Sequence, residues 1–257
     1  MDVVLGADTE MGRAIARRLA GAGRQLLIAD RDLAPMEMLA SELGPNVRAT
    51  ALDVVDPLAG DALAELVPHV DVLVTAGRSV APMSGRQIIE AELVGTVRVL
   101  EAAHALVGAG SAVIALPPLA ESGTSLGEAV DRILDRPLEP SILDDLRTAG
   151  IDCDDAGAAG VCSRRAVTRF VRRTSRRFED VGARLLAISR DPVDDPFSRP
   201  GLEYVTPLTL DGDASEVGVV RPEVVALVVE MLAIRPAGGV AGVEVMVDEK
   251  LLADLLV

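Results

Sequence analysis

The sequence has few aromatic residues and almost no lysine, and each shortage disfavours a class of function. Among the 257 residues there is no tryptophan, and aromatic side chains make up 2%, which argues against recognition by stacking on nucleic-acid bases. Lys250 is the only lysine, so a mechanism based on a lysine amine is nearly excluded. The net charge of −15 repels polyanions, and we expect no nucleic-acid partner.

Thiols, imidazoles and long apolar runs are also scarce. The chain contains two cysteines, Cys153 and Cys162, and two histidines, His69 and His104. Two cysteines and two histidines are too few for a disulfide framework or a structural zinc site, and we predict no metal. No apolar run reaches the roughly 18 residues that a membrane span needs, and no leader pattern opens the chain. The sequence therefore predicts a cytoplasmic protein with no membrane partner.

Short apolar segments alternate with helical patterns along most of the chain. The strands are predicted at 2–7, 25–32, 47–56, 70–77, 111–118, 183–192 and 242–248. The helices are predicted at 12–23, 33–43, 60–68, 86–107, 163–180 and 221–234. Apolar strands separated by amphipathic helices indicate a parallel sheet covered on both faces. We therefore predict a doubly wound α/β fold with three layers, with residues 1–257 as a single domain.

Residues 119–160 interrupt this alternation with a helical insert. Its sequence predicts two short helices broken at Pro137 or Pro140. A long connection after a strand is often a lid or a contact surface, and an exposed helical excursion is an equally good interpretation. The aspartates near its end indicate either a solvated turn or a cation site; they are Asp152, Asp154 and Asp155.

The first strand, the turn after it and the next helix have the order of a dinucleotide-binding motif. Gly6 and Gly12 lie in this turn, and Asp30 ends the second strand. Gly6 permits a tight turn, Gly12 permits close packing of helix on strand, and a carboxylate at Asp30 accepts from the ribose of NAD. Taken alone, Asp30 is equally well an ordinary acid at a strand end. The motif indicates a Rossmann-type fold.

With these motifs in place, the whole chain apart from the insert resembles the short-chain dehydrogenase/reductase superfamily. The glycine-rich turn of that family matches residues 5–12, its adenine-contacting aspartate matches Asp53, and its motif after the fourth strand matches residues 74–77. The resemblance implies NAD as the cofactor. The cofactor site that it implies consists of Gly6, Glu10, Met11, Gly12, Asp30, Asp53, Ala76 and Gly77.

The same resemblance implies that the catalytic side chains of the family are missing. Gly160 stands where the family has its tyrosine, and Arg164 stands where it has its lysine. The serine position falls at residues 116–117, the asparagine position falls on Glu92, and the only tyrosine, Tyr204, lies far downstream. In the family the phenol transfers a proton as a hydride moves. Gly160 has no side chain for this step, and a guanidinium does not relay a proton.

Glu92 and Arg164 have two interpretations. Buried charges are normally paired, which favours a structural ion pair between these two residues. Alternatively, Glu92 is a substitute base in the site, and Arg164 and Asp155 are further candidates for proton transfer.

Glu10 stands in place of the middle glycine of the turn. A side chain at this position crowds the pyrophosphate, and two unit charges about 4 Å apart repel by roughly 1–4 kcal/mol at dielectric constants typical of a surface. Asp8 adds negative charge nearby. In a second interpretation, Glu10 and Asp8 themselves accept hydrogen bonds from the free N–H groups of the helix. The sequence predicts weak or lost binding of NAD.

The helix predicted at 163–180 is rich in arginine in an otherwise acidic chain. Four of its arginines share one face by their spacing: Arg165, Arg169, Arg172 and Arg176. Such a face is either solvated and paired with local acids, such as Glu179 and Asp180, or it docks an acidic partner or a phosphate group such as that of coenzyme A.

These observations leave several functions open. The missing catalytic residues and Glu10 favour a non-catalytic structural or regulatory subunit. The resemblance implies that it assembles as a homodimer or tetramer, or with an active homologue, through helices 86–107 and 163–180. The alternative is an NAD(H)-dependent oxidoreductase for a small or lipid-like alcohol or ketone, or for a coenzyme A thioester, that uses Glu92, Arg164 or Asp155. A non-redox enzyme such as a cyclase or dehydratase is a third hypothesis.

Overall fold

The computed structural model of the chain describes residues 1–77, 83–117, 126–190, 221–233 and 241–247. The strands are β1 (Asp2–Leu5), β2 (Leu26–Asp30), β3 (Val47–Ala51), β4 (Val72–Thr75), β5 (Ala112–Ala115), β6 (Arg184–Arg190) and β7 (Glu244–Val247). The helices are α1 (Glu10–Gly21), α2 (Leu33–Leu43), α3 (Ala59–Leu66), α4 (Gly85–Ile88), α5 (Thr96–Ala103), α6 (Gly127–Leu134), α7 (Ile142–Thr148), α8 (Ala156–Asp180) and α9 (Pro222–Ala233). Tyr204 and residues 119–125 of the insert lie outside the described residues.

The strands form one parallel sheet in the order β3-β2-β1-β4-β5-β6-β7. The order reverses between β1 and β4, where Leu5 pairs with Ala29 on one side and with Thr75 on the other. The loops that follow β1 and β4 therefore meet at the carboxyl edge of the sheet, where ligands of doubly wound folds bind. The predicted Rossmann-type fold is confirmed.

Side chains that alternate along the strands supply two cores, one on each face of the sheet. Val4 packs with α1, α2 and α9, whereas Val3 and Leu5 pack with α3, α5 and α8. Both cores are built largely from residues with less than one tenth of their surface exposed. Helices thus cover both faces, which gives the three layers that the sequence predicts.

The insert adds a partial fourth layer outside α4 and α8. Its helices α6 and α7 are separated by the segment that contains Pro137 and Pro140, as predicted. Val130 and Leu134 of α6 and Ile142 of α7 are buried in a third apolar cluster with residues of α4 and α8. The insert therefore packs against the body of the fold.

Two predicted helices differ from those in the structure. The helix predicted at 163–180 begins at Ala156, because the Asp155 side chain accepts from Ala158 N at 2.6 Å and caps the helix there. The helix predicted at 86–107 consists of α4, a π-helical segment at Ile89–Gly95, and α5. Such π-helical segments are frequent at functional sites. No helix within the described residues is long and apolar enough to cross a membrane.

Candidate cofactor and active site

The turn between β1 and α1 has no room for a side chain at its two glycines. Gly6 has a φ of +79°, and a Cβ there would lie 2.8 Å from the Cα of Gly77. A Cβ on Gly12 would lie 2.2 Å from the carbonyl oxygen of Gly6. The backbones of the β1 and β4 loops therefore touch, and α1 starts directly on the turn. This glycine cradle fits a dinucleotide, whose pyrophosphate needs close approach of backbone.

Thr9 caps α1 and was not among the residues predicted from the sequence. Its hydroxyl accepts from Gly12 N at 2.9 Å and donates to Gly6 O at 2.8 Å. The second interpretation, in which Glu10 and Asp8 cap this helix, is therefore corrected, because the N-cap is Thr9 and the Asp8 carboxylate pairs with Arg13. A threonine immediately before a helical pattern is a recognised N-cap signal that would have identified it.

The two carboxylates near the glycine turn, Asp8 and Glu10, have different surroundings, and only one of them adds negative charge as predicted. Glu10 is the first residue of α1 and is exposed, and it makes no hydrogen bond or ion pair with any described residue. The Asp8 carboxylate pairs with the Arg13 guanidinium, with 2.6 Å between Oδ1 and Nη2. Asp8 therefore does not add the repulsion expected of it, and among the described contacts Glu10 is the acid at the start of α1 that has no cationic partner.

Two further carboxylates of the predicted cofactor site are held by backbone N–H groups. Asp30 Oδ2 accepts from Asp8 N at 3.1 Å, and Asp30 Oδ1 accepts from Arg31 N at 2.7 Å. Asp30 thus lies against the glycine turn, in reach of a ligand held there, and also fixes its shape. Asp53 is exposed after β3 and accepts from Val55 N at 2.9 Å, which is a local turn.

Met11, Ala76 and Gly77 complete the predicted set. Met11 is 7% exposed and belongs to the core on the α1 face, so only its backbone is placed to contact a ligand. Ala76 N donates to Leu5 O at 2.8 Å, which fixes the loop after β4 beside the glycine turn.

Arg164 takes part in a polar cluster that ties α8 to β7. Its side chain is 8% exposed, and its Nη2 donates to Glu244 Oε1 at 3.3 Å. Arg172 donates to the other carboxylate oxygen at 3.4 Å, and the Ser189 hydroxyl of β6 donates to Oε1 at 2.5 Å. One carboxylate therefore joins α8, β6 and β7, and it compensates the cation at the position that the resemblance assigns to the family's lysine.

The carboxylate that pairs with Arg164 in the described contacts comes from Glu244, and the pair predicted between Glu92 and Arg164 stays a prediction. Glu92 is 5% exposed and lies in the π-helical segment before α5, whereas the carboxylate paired with Arg164 comes from Glu244, 80 residues further along the chain. No local sequence signal marks Glu244, because it stands at the start of a strand whose place in the sheet is set by tertiary packing. Glu92 stays a candidate site residue.

The remaining catalytic candidates have structural roles in the described residues. Asp155 is exposed and caps α8. Gly160 is buried in α8, where it offers no acid or base. Asp152 accepts from the backbone N–H groups of Asp154 and Asp155 at 3.0 and 3.3 Å, so the three aspartates form a turn. Within the described residues, no group of three or more His, Cys, Asp or Glu side chains is arranged to hold a metal.

Cys162 and His104 also pack as structural residues. Burial raises the pKa of the Cys162 thiol to about 11, so at neutral pH it is not the thiolate that a nucleophile requires. The His104 ring lies edge-on to Phe178, with 5.2 Å between ring centroids, and its Nε2 is 3.1 Å from the carbonyl oxygen of Arg177. Both residues fit the structural interpretation of the sequence.

The arginine face of α8 is paired mainly with the insert. Arg165 donates to both carboxylate oxygens of Asp131 at 2.5 and 2.7 Å, and Arg169 donates to both oxygens of Asp135 at 2.8 Å. Arg173 also pairs with Asp135. The local acids expected as partners contribute only a long contact of 3.8 Å between Arg176 and Asp180. The prediction is corrected on this point, because the acids that pair with these arginines come from the insert and not from α8.

The chain was compared with protein-family models, with curated proteins and with solved structures. No protein-family model matches the chain, and no curated protein matches it in sequence. Solved structures do match over nearly the whole length. A Brucella melitensis short-chain dehydrogenase/reductase described as a glucose/ribitol dehydrogenase has a TM-score of 0.63 and 21% identity, and the match covers 95% of this chain and 93% of that one.

Two further structures match equally well. A protein described as a short-chain dehydrogenase/reductase family protein has a TM-score of 0.65 and 21% identity, with 96% of this chain and 95% of that chain covered. The Pseudomonas aeruginosa RhlG/NADP active-site complex has a TM-score of 0.64 and 16% identity, with 96% and 94% covered. The chain therefore has the fold of the short-chain dehydrogenases/reductases.

Proposed function

We propose that this chain is a non-catalytic structural or regulatory subunit with the short-chain dehydrogenase/reductase fold. The observation that carries the proposal is the pairing of Arg164 with Glu244 beside a buried Gly160. The position that should supply a phenol has no side chain, and the neighbouring cation is bound in a structural cluster. Loss of a positioned acid or base typically lowers a rate by roughly 10²–10⁴-fold.

An activity measurement tests this proposal. Purified chain is assayed for oxidation of NADH and NADPH with a panel of ketones, aldehydes and coenzyme A thioesters, and for the reverse reaction with alcohols. We expect no turnover above the cofactor-only background. The variants Glu92→Gln and Asp155→Asn are assayed in parallel. Turnover that Glu92→Gln removes while the circular dichroism spectrum is unchanged would establish the oxidoreductase alternative.

We propose in addition that the glycine cradle binds NAD only weakly, and that Glu10 is the cause. Gly6, Gly12 and Gly77 would accommodate the pyrophosphate, and Asp30 would accept from the ribose. Bound NAD supplies hydride chemistry; the residues of the cradle only hold and orient it. The Glu10 carboxylate lies at the helix N-terminus and makes no ion pair with any residue that the structure describes, and there it opposes the attraction of the N–H groups for phosphate.

Titration with NADH, followed by its fluorescence, tests the role of Glu10. We expect Glu10→Gly to bind about tenfold more tightly than the wild type, since about 1.4 kcal/mol of relieved repulsion is a factor of ten. Glu65→Gln, an exposed charge change on α3, is the control and leaves the affinity unchanged. Equal affinities of wild type and Glu10→Gly would contradict this account of the turn.

A subunit without chemistry acts by binding, and its assembly with itself or with an active homologue through helices 86–107 and 163–180 is part of the proposal. Light scattering after size-exclusion chromatography, with and without a co-purified homologue, tests it. We expect an oligomer. A monomer at every concentration, with no co-eluting homologue, would contradict assembly and leave the absence of turnover as a separate result.

A further inference from the structure

The loop between β3 and α3, residues 52–58, is joined to the glycine turn by hydrogen bonds. Leu52 N donates to the carbonyl oxygen of Asp30 at 2.8 Å, directly after β3. The Asp30 carboxylate in turn accepts from Asp8 N of the turn at 3.1 Å. Asp53, which the resemblance assigns to the contact with adenine, is the next residue of the loop. It therefore lies at the same edge of the sheet as the glycine cradle.

Arg98 of α5 holds this loop through its backbone. The Arg98 Nη1 atom donates to three consecutive carbonyl oxygens: Val54 O at 3.1 Å, Val55 O at 3.2 Å and Asp56 O at 3.4 Å. Because this nitrogen carries two protons, the bonds are shared among the three acceptors. A charged donor makes them stronger than bonds between neutral groups. The guanidinium thus fixes the path of the loop directly after Asp53.

The hydrogen bonds within the loop leave part of Asp53 open to a ligand. Asp53 Oδ1 accepts from Val55 N at 2.9 Å, and Asp56 Oδ1 accepts from Leu58 N at 2.8 Å. The side chain of Asp53 is exposed, and its Oδ2 atom makes no hydrogen bond with any residue that the structure describes. One carboxylate oxygen therefore shapes the turn, while the other is an acceptor that faces no described donor.

Arg98 belongs to a row of three residues that contact this loop and α3. The row is Gly95, Arg98 and Ala102, whose spacing of three and four residues places them on one helical face. A Cβ on Gly95 would lie 2.7 Å from Val54 O, and a Cβ on Gly60 of α3 would lie 2.6 Å from the Cβ of Ala102. The loop and α3 therefore lie directly on this face, and Arg98 is its only polar member.

Arg98 also differs from the arginines of α8 in what it binds. Those arginines pair with carboxylates, whereas the printed contacts of Arg98 are all with backbone carbonyl groups of the loop. A guanidinium bound only to backbone acts on the conformation of that backbone. Its positive charge also lies beside a loop that carries two acids, Asp53 and Asp56, and favours keeping them close to α5.

We propose that Arg98 is a positioning residue for the adenine end of the nucleotide site. By holding residues 52–58 against α5, it keeps the Asp53 carboxylate where that group accepts from the exocyclic amine of adenine. A carboxylate accepts and does not donate, so this placement favours adenine over hypoxanthine, in which a carbonyl oxygen replaces the amine. The inference rests on the proposed binding of NAD in the glycine cradle and names the residues that select the base.

The preference between two dinucleotides tests the proposal. NADH and reduced nicotinamide hypoxanthine dinucleotide are titrated, with fluorescence as the readout, into Glu10→Gly and into Glu10→Gly/Arg98→Gln. We expect Glu10→Gly to bind NADH about tenfold more tightly than the hypoxanthine analogue, as the loss of a hydrogen bond to a charged group implies. Arg98→Gln should remove most of this preference. A merely destabilising substitution lowers both affinities alike and leaves their ratio unchanged.

Three further variants in the Glu10→Gly background separate positioning from general effects. Arg98→Lys keeps a cation with N–H donors and should retain most of the preference. Arg132→Gln, a change of an exposed arginine on α6, is the control and should leave the preference unchanged. Asp53→Asn should remove the preference, and Arg98→Gln added to it should change the ratio no further, since Arg98 acts through Asp53.

Hydrogen exchange without nucleotide measures the loop itself. The amides of residues 52–58 should exchange at least tenfold faster in Arg98→Gln than in the wild type, while the amides of β1 keep their rates. Unchanged exchange of the loop, or an unchanged dinucleotide preference in Glu10→Gly/Arg98→Gln, would overturn this inference and leave the proposed weak binding of NAD in place. Failure of Glu10→Gly to bind either dinucleotide at millimolar concentration would overturn both.

Discussion

The glycine turn after β1 and the first half of α8 differ in how closely their residues agree with the motifs of the family that the sequence resembles. At the turn, Gly6 and Gly12 pack against neighbouring backbone so closely that no Cβ fits. On α8, the positions that the resemblance assigns to the family's tyrosine and lysine hold Gly160 and an arginine that is bound to Glu244.

The contrast shows which residues a fold requires and which a reaction requires. Gly6 is fixed by steric contact with the loop after β4 and Gly12 by contact with the turn itself, so their loss would disrupt packing whether or not a cofactor binds. A tyrosine and a lysine on the face of a helix do no comparable packing and are replaced at little cost once a reaction is not needed. The arginines of α8 are consistent with this rule, since Arg164 and Arg165 make ion pairs within the structure.

The largest effect on the free energy of unfolding should come from a substitution in the glycine turn after β1. Gly12→Val places side-chain atoms against the Gly6 carbonyl, and we expect a loss of about 3 kcal/mol or more in the free energy of unfolding. Gly21→Ala, at the end of the same helix with nothing within 4 Å of the added Cβ, is the control and should be neutral or stabilising. Chemical denaturation followed by circular dichroism measures both. Equal changes in the free energy of unfolding for Gly12→Val and Gly21→Ala would contradict the steric explanation.

The contact of α6 with α8 should contribute less to the free energy of unfolding than the close packing of the glycine turn does. Asp131→Asn/Asp135→Asn should lower the free energy of unfolding at pH 7 by about 1 kcal/mol, because part-exposed ion pairs are weak. Both aspartates have a lowered pKa in the folded state. Their stabilisation is therefore fully present above the unfolded pKa of about 3.9 and is lost as the pH falls through the lowered folded values.

Thermal melts between pH 2 and pH 7 check this dependence. The difference in melting temperature between wild type and variant should be constant from pH 7 to about pH 5 and should shrink below about pH 4. A difference that grows on acidification would mean that the aspartates do not form the ion pairs described for them.

The smallest effect should come from Glu10, and it should have opposite signs for stability and binding. An acid in the first turn of a helix is stabilising by about 0.3–1 kcal/mol, so Glu10→Gln should lower the free energy of unfolding by that amount while it raises the affinity for NADH. Thermal melts at low and high salt measure the first effect, which salt screens. A variant more stable than the wild type would show that the helix dipole is not the relevant interaction.

The fold could be predicted from the sequence because its signals are local and repeated. The apolar runs of β1 and β4 and the glycines of the turn each lie within a few residues of one another, and the Thr9 cap carries a signal of the same kind. The break of α4 and α5 by a π-helical segment has no such signal. It was predicted as one helix because the apolar pattern of 86–107 is continuous.

The candidate site could be predicted only in part, because its pairings depend on tertiary structure. Arg164 was identified, but its partner Glu244 belongs to the other end of the chain. Likewise, the arginines of α8 were identified as a face, whereas the acids that pair with them, Asp131 and Asp135, come from the insert. Spacing along one element predicts which residues share a face and does not predict which element covers that face.

The pairing of Arg164 with Glu244 is the central claim, and a double-mutant cycle tests it most directly. The free energy of unfolding is measured for wild type, Arg164→Met, Glu244→Gln and the double variant. If Arg164 is a structural tie, removing it leaves the Glu244 carboxylate poorly compensated, and the cycle should give a coupling energy of about 2 kcal/mol. A coupling energy near zero would contradict this account and would return Arg164 to the candidates for chemistry.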